Sequence, residues 1–315
     1  MTKLSNLFSW SFSAHADFLA CPRRRYWSKY ALWNGWQSQA SALERTAYRL
    51  SKMDNLFSLQ GQAVERALLW ALRAAQAGRT VDVEQAYAAA AQPFLNQCWS
   101  ESRQKLWQAN PRRHCCLHEH YYAHLHAQPA TALIPRIIAN TKQCLGHFLD
   151  QVLPRLRAIR SAQEIPIAQP GNGPPESFQL DGVKIYAIPD YAYWQDEQMH
   201  IHEWKSGQPL AAHSQQITLY GLWAQRQHHL PAHQIQLHLE YLLPGRTFSA
   251  VVTEAELLSI QQLVQESVAG MAEYLEGGDL RRNIPLSQEH WELTADQQLC
   301  RSCNFYELCQ AELES

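Results

Sequence analysis

A chain of 315 residues with 46% hydrophobic and 18% charged side chains has the composition of a folded globular protein and is long enough to bury one large core. A formal net charge of −2 excludes a generally polyanion-binding surface, so any nucleic-acid contact has to be local. There is no run of 18 apolar residues and no signal-peptide-like stretch after Met1, Thr2, Lys3 and Leu4. A cytoplasmic protein is expected, in which the eight cysteines serve as ligands or reduced thiols rather than disulfides.

In chain order, residues 14–30 have helical periodicity and run toward a turn at Asn34-Gly35. A second helix is expected over 59–77, stopping at Gly78. On it Glu65, Leu68, Leu69 and Leu72 recur at i, i+3, i+4 and i+7, which puts a carboxylate on the core-facing stripe. Gly61, one turn earlier on that face, lets another backbone come close. Residues 81–156 read as several helices with little strand signal. Strands are expected over 162–168, 178–187 and 199–205, separated by turns at 171–175 and Asp181-Gly182. A helix over 213–228 leads to a buried strand at 234–243 and a shorter one at 248–252. Thr253 and Glu256 form a capping box for a long helix ending near Leu275, before Gly277-Gly278. This order is α/β rather than a helical bundle.

The chemistry concentrates at Ile201-His202-Glu203-Trp204-Lys205. Side chains alternate along a strand, so Glu203 and Lys205 share one face while His202 and Trp204 share the other. Asp190 ends an earlier alternating run, and a hairpin-like return brings its carboxylate beside Glu203. Two carboxylates that close repel unless a cation sits between them, and a divalent metal beside a lysine is an arrangement that activates water against a phosphodiester. Gln216 and Tyr220 stand at i, i+4 on the following helix. An acid-x-lysine pair alone is more often a surface ion pair; here the conjunction carries the reading.

Asp190-x12-Glu203-x-Lys205 with Gln216-x3-Tyr220 resembles the PD-(D/E)XK nuclease superfamily and its RecB-like branch. Ser11-Phe12-Ser13 through Cys21-Pro22, with Cys300-x2-Cys303-x5-Cys309, resembles the iron-sulfur members of that branch, such as AddB nuclease domains and the small CRISPR-associated nucleases. The resemblance implies a restriction-endonuclease-like core with a central mixed sheet flanked by helices. It implies one domain over 1–315, a helical insertion at 81–158, and a terminal clamp in which the 287–315 segment joins Cys21. Glu65 occupies the place of the family's metal-binding histidine. Glu65, Asp190, Glu203 and the Trp204 carbonyl are then the ligands of Mg2+ or Mn2+, since oxygen donors favour hard ions. Lys205 orients water, and Gln216 and Tyr220 position the lysine or the DNA backbone. Cys21, Cys300, Cys303 and Cys309 hold a 4Fe-4S cluster, although the Cys300-x2-Cys303 spacing by itself suits zinc equally well.

The implied activity is hydrolysis of single-stranded or end-bearing DNA, as an exonuclease rather than an endonuclease, in repair or antiviral defence. No G-x4-G-K-[ST] loop occurs, so any unwinding comes from a helicase or other partner. The alternatives are a catalytically idle DNA-binding or scaffold module and a nuclease directed at RNA. Arg23, Arg24 and Arg25 are the preferred nucleic-acid contacts because they adjoin Cys21, ahead of the Arg112-Arg113 and Arg281-Arg282 pairs, though short charge runs are commonly solvated faces. His114 with His118, and His120 with His124, are spaced to share helix faces, which needs no metal. Cys98 and Cys144 read as buried free thiols, and Glu164 as either an edge-strand residue or a partner of metal-bound water.

Overall fold

The computed structural model describes residues 6–169 and 173–314. Strand β1 (Ser9–Ser11) passes into helix α1 (Phe12–Ala20), capped by Ser11, whose hydroxyl accepts the Ala14 N–H at 3.1 Å. The helix expected over 14–30 is broken at Cys21, which is extended (φ −166°, ψ 109°), and helix α2 (Pro22–Tyr26) begins at the proline. A residue before proline is driven out of the helical region, so the Cys21 thiol is presented at a corner. Helix α3 (Ala42–Leu50) has a Ser41/Glu44 capping box and leads through strand β2 (Met53–Asp54) to the long helix α4 (Leu56–Gln76), capped by Asn55.

Helices α5 (Val83–Ala86) and α6 (Gln92–Arg103) follow. Strand β3 (Cys116–Leu117) then pairs in parallel with β2, a strand the helical reading of this region did not contain. Helices α7 (His118–Tyr121), α8 (Ile134–His147) and α9 (Leu153–Leu156) complete the segment. It packs on α4 because Ala63, Ala67 and Ala71 keep that face low, letting Cys144, Leu145 and Phe148 approach.

The strands divide between sheets rather than forming one. Strands β4 (Ser177–Leu180) and β5 (Val183–Tyr186) make a hairpin through Asp181 (φ +49°) and Gly182 (φ +78°), and β1 adds in parallel to β5. A two-residue turn with both φ values positive matches the twist of the flanking strands. The larger sheet has the order β6 (Tyr191–Gln195), β7 (Gln198–Lys205), β8 (Ile235–Tyr241), β9 (Arg246–Val251), with β7 and β8 parallel. Helix α10 (Ala211–His228) forms the crossover between them. Residues 162–168 form no strand. They meet β6 through a single bridge, Glu164 to Tyr193, with the Ile165 N–H on the Ala192 carbonyl at 2.9 Å; Pro166 has no N–H with which to extend a ladder.

Helix α11 (Glu254–Ala272) starts at the expected Thr253/Glu256 capping box, and helices α12 (Gln297–Arg301) and α13 (Tyr306–Leu313) carry Cys300 and Cys309, with Cys303 between them. One face of β7 sends Met199 and Ile201 into a core with Leu219, Trp223, Ile260 and Val264. The other packs Trp204 with Tyr191 against α4 and Phe148. Burial on both faces forces the catalytic-looking residues to the strand's C-terminal end, where the core stops.

Candidate active site

The β6–β7 hairpin turns through Asp196 (φ +48°) and Glu197 (φ +60°) and pairs Tyr191 with His202. Asp190, one residue before β6, is therefore level with Glu203, and opposed residues of an antiparallel pair share a face. Asp190 Oδ2 accepts the Trp204 N–H at 2.6 Å. The Trp204 carbonyl lies on that same strand edge, because the N–H and C=O of a strand residue point the same way. Helix α4 supplies Glu65 from the side. A Cβ on Gly61 would stand 3.3 Å from Ser206 Oγ, so glycine there lets the segment after β7 lie close to the helix. The result is a pocket of about 440 Å3 lined by Gly61, Glu65, Asp190, Glu203, Lys205 and His213, among others.

A hydrogen-bonded chain fixes its floor. Lys205 Nζ donates to Glu203 Oε1 at 2.5 Å and to Gln216 Oε1 at 2.8 Å. The Gln216 amide donates to the same Glu203 oxygen at 3.0 Å and to Tyr220 Oη at 2.8 Å. Glu203 is 4% exposed, and its second oxygen, Oε2, is buried without a hydrogen-bond partner. Three carboxylates thus face one ammonium. Burial first, then the charges of Glu203 and Glu65, lift the Asp190 carboxyl well above the usual carboxylate range. Burial likewise raises Glu203 against the opposing pull of Lys205, and raises Glu65 with help from Glu203. Burial and the Glu203 charge push the Tyr220 phenol far up, so it stays protonated.

Among the described residues, no group of three or more His, Cys, Asp or Glu side chains is already drawn into metal-ligand geometry. The pocket's donors nevertheless suit a hard divalent ion: carboxyl oxygens from Glu65, Asp190 and Glu203, a main-chain oxygen at Trp204, and a buried Glu203 Oε2 with no hydrogen bond of its own.

The chain matches the model of the PD-(D/E)XK nuclease superfamily over residues 9–310. It belongs to that superfamily. A search of curated proteins finds no match. As in the superfamily's name, an aspartate precedes an acid-x-lysine strand, and here hairpin geometry brings the two parts together.

The arginine run is a correction. Arg23 and Arg25 are buried; Arg23 donates to the Trp291 carbonyl at 2.7 Å and pairs with Glu312 at 2.6 Å. Three consecutive helical residues point about 100° apart and cannot all face solvent. Only Arg24 is partly exposed, 3.1 Å from Asp17. Glu164 is engaged by Arg73, Gln76 and Tyr191, outside the carboxylate pocket. Neither expected histidine pair shares a helix: β3 separates His114 from His118, and α7 ends at Tyr122 (φ −104°, ψ 43°) between His120 and His124; His118 instead meets His126 at 2.9 Å and His120 meets Ser102 Oγ at 2.8 Å. Cys98 and Cys144 are free and buried.

Cys21, Cys300, Cys303 and Cys309 line one apolar pocket with Trp27 and Phe305. Trp27 Nε1 donates to Cys309 Sγ at 3.2 Å and the Phe305 N–H to Cys303 Sγ at 3.4 Å. Burial pushes the Cys303 and Cys309 thiols up to about 11. Four thiols are the donor type of an iron-sulfur cluster, but among the described residues no three of them are drawn together into a metal site, and the space between them is about 20 Å3, the room of a single water. Ser206, Gln208, Leu210 and His213 also line the carboxylate pocket and were not anticipated; their position directly after Lys205 was the available signal.

Proposed function

We propose that this superfamily member is a divalent-metal-dependent deoxyribonuclease acting on single strands or DNA ends, as an exonuclease. The observation that carries the reading is the convergence of Glu65, Asp190, Glu203 and Lys205, from three separate elements, on one pocket with a buried unpartnered carboxylate oxygen. Glu65, Asp190, Glu203 and the Trp204 carbonyl are the residues to hold Mg2+ or Mn2+. A bound divalent ion supplies charge neutralisation at the scissile phosphate and a lowered pKa for water.

The chain's own groups do the rest. Lys205, tethered by Glu203 Oε1 and Gln216 Oε1, presents an ammonium that orients the attacking water and stabilises the charge developing on the phosphate. Gln216 binds both members of the pair and is itself backed by Tyr220, so it fixes the lysine's position. The competing reading of an idle scaffold leaves the unpartnered Glu203 oxygen and the strained charge balance without a use.

Cys21, Cys300, Cys303 and Cys309 are assigned to a 4Fe-4S cluster with a structural role, as in the RecB-like iron-sulfur branch. The domain reading is a single unit over 1–315, with 81–158 inserted and 287–315 clamped to Cys21. Among the described residues no helix is long and apolar enough to cross a membrane. A cytoplasmic nuclease in repair or antiviral defence, working with a helicase or similar partner, fits this set.

The test is incubation of anaerobically purified protein with end-labelled single-stranded DNA, duplex DNA and RNA, in Mg2+, Mn2+ or chelator. Release of short DNA products from ends in either metal, and none in chelator, is expected. Cleavage of RNA alone, or equal cleavage in chelator, overturns the assignment.

A further inference from the structure

Beside α3 lies an open groove of about 1030 Å3, more than twice the 440 Å3 of the carboxylate pocket. Arg45 and Arg49 of α3, Lys52 just after it, and Arg112 from the turn beyond Pro111 line its walls; no aspartate or glutamate does. In a chain of net charge −2, four cations gathered in one concavity from two distant segments are a local exception to the overall balance. Their charge is only partly compensated. Arg45 donates to the Ala40 carbonyl and sits in the field of the neighbouring Glu44 carboxylate, Arg49 leans on Glu307 at 3.6 Å, Lys52 Nζ stands 5.2 Å over the Tyr48 ring, and Arg112 has no ion pair among the described residues. Burial and the neighbouring Arg112 both push the Lys52 ammonium below its ordinary range.

An aromatic platform borders these cations. Trp36 is 40% exposed and lines the groove, yet it is braced edge-on by Trp33 at 5.1 Å and by Tyr48 at 5.8 Å. A large ring left in water but held in one orientation suits stacking against a planar ligand. Lys52, at the groove's edge, lies four residues before α4 begins at Leu56. On that helix Phe57, Gly61 and Glu65 stand at i, i+4 and i+8, one stripe leading to the carboxylate pocket, and Leu56 to Glu65 spans about 14 Å of helix. Phe57 is 45% exposed, with the Arg136 guanidinium 5.4 Å from its ring centre. Phe57 and Arg136 thus form a second exposed aromatic–cation pair at the start of the helix that carries Glu65.

We propose that this groove is the track for the single-stranded part of the nucleic-acid substrate, with the sugar-phosphate backbone on Arg45, Lys52 and Arg112 and a base stacked on Trp36. Phe57 and Arg136 extend the track along α4 to the metal-binding carboxylates. This inference rests on the nuclease reading above and names how that site receives its substrate.

The test is binding of a fluorescein-labelled 20-nucleotide thymidine oligomer to the full chain in divalent-free buffer across a range of salt concentrations. For single strands the slope of log affinity against log salt falls by about 0.7 per phosphate contact removed, so Arg45→Ala/Arg112→Ala should flatten it by about 1.4. Trp36→Ala should weaken binding about five-fold or more with the slope unchanged. Arg226→Ala removes one exposed positive charge elsewhere, where among the described residues Arg226 bonds only Gln261, and should alter neither. Arg45 and Arg112 are exposed, so unchanged melting curves verify that these variants fold.

Wild-type affinity and slope in the double variant overturn the track and leave the groove to another anion, such as an acidic protein segment. Absence of wild-type binding overturns it too. Adding Mg2+ to the same samples separates the two readings: cleavage without groove-dependent binding refutes the track alone, and groove-dependent binding without cleavage refutes the nuclease assignment alone.

Discussion

Glu203→Gln should make the metal-free protein more stable while destroying its activity. The Glu203 Oε1 atom already accepts from Lys205 and Gln216, and an amide oxygen still accepts both bonds, the one from the ammonium more weakly. The amide nitrogen replaces the partnerless Oε2 and can donate to the neighbouring Asp190 carboxyl. Lys205 keeps a charge partner, because its field also reaches Asp190. Relieving one unsatisfied buried polar atom is worth about 1–3 kcal/mol. For 315 residues the unfolding entropy converts 1 kcal/mol to about 1.5 °C, so the variant's melting temperature in chelator at pH 8 should rise by about 2–5 °C. The sign with pH follows from the raised folded pKa of Glu203. Its protonated form is favoured in the fold, so its contribution is most favourable at low pH and is lost as pH rises. The advantage of the variant should therefore shrink toward pH 5. With Mg2+ the order should narrow or reverse, since only the wild type retains every ligand and gains from binding. A lower melting temperature for the variant in chelator refutes the picture of an uncompensated carboxylate pocket.

Glu65→Ala should raise the Mg2+ concentration needed for half-maximal cleavage, with Mn2+ partly restoring the rate; normal cleavage at limiting metal removes Glu65 from the ligand set. Alanine at Cys21, Cys300, Cys303 or Cys309 should abolish the brown colour and the equimolar iron and sulfide expected of the wild type, whereas Cys98→Ala should not; colourless protein containing zinc alone contradicts the cluster. Burial, reinforced by neighbouring histidines, holds His118 at about 4 and His238 at about 2. Both stay neutral in the fold below pH 6.5 while the unfolded chain takes up protons, so their contribution is full above pH 6.5 and lost on acidification. Because the unfolded histidines are half protonated at pH 6.5, each loses about 1.6 kcal/mol by pH 5, so urea unfolding should show about 3 kcal/mol less stability at pH 5 than at pH 6.5, and a flat profile rejects this.

The site was legible where a local period decided it. Alternation placed Glu203 and Lys205 on one face, and i, i+4 spacing placed Gln216 beside Tyr220. The partner strand was harder to see. Tyr191-Ala192-Tyr193-Trp194 has no apolar-polar alternation because its residues are largely covered on both faces, and Asp196-Glu197 lacks the glycine that normally signals a two-residue hairpin. The histidines of the same sheet carried a second message that was missed. His200 and His202 on β7 face His238 and Glu240 on β8, giving a buried network with His200 Nδ1 2.9 Å from His238 Nε2 and Arg155 2.9 Å from Glu240. Those contacts depend on parallel register between strands separated by a whole helix, which no local pattern encodes. The groove beside α3 was missed for the same reason: Arg112 is 60 residues from Lys52 in the chain and meets it only in the fold.

The most direct test is the single-turnover rate of end-labelled single-stranded DNA cleavage by wild type and Lys205→Ala in Mg2+, with melting curves and visible spectra recorded on the same preparations. Lys205 is partly exposed at the end of β7, so its removal should lower the melting temperature by unpairing Glu203 while leaving the fold and the spectrum in place, which the melting curves and spectra check. The expected result is metal-dependent cleavage by the wild type and a loss of roughly a hundred-fold or more in the variant, the scale on which one oriented charge-stabilising group acts. Cleavage by Lys205→Ala at the wild-type rate, or none by the wild type in either Mg2+ or Mn2+, contradicts a metal-dependent nuclease centred on Asp190, Glu203 and Lys205.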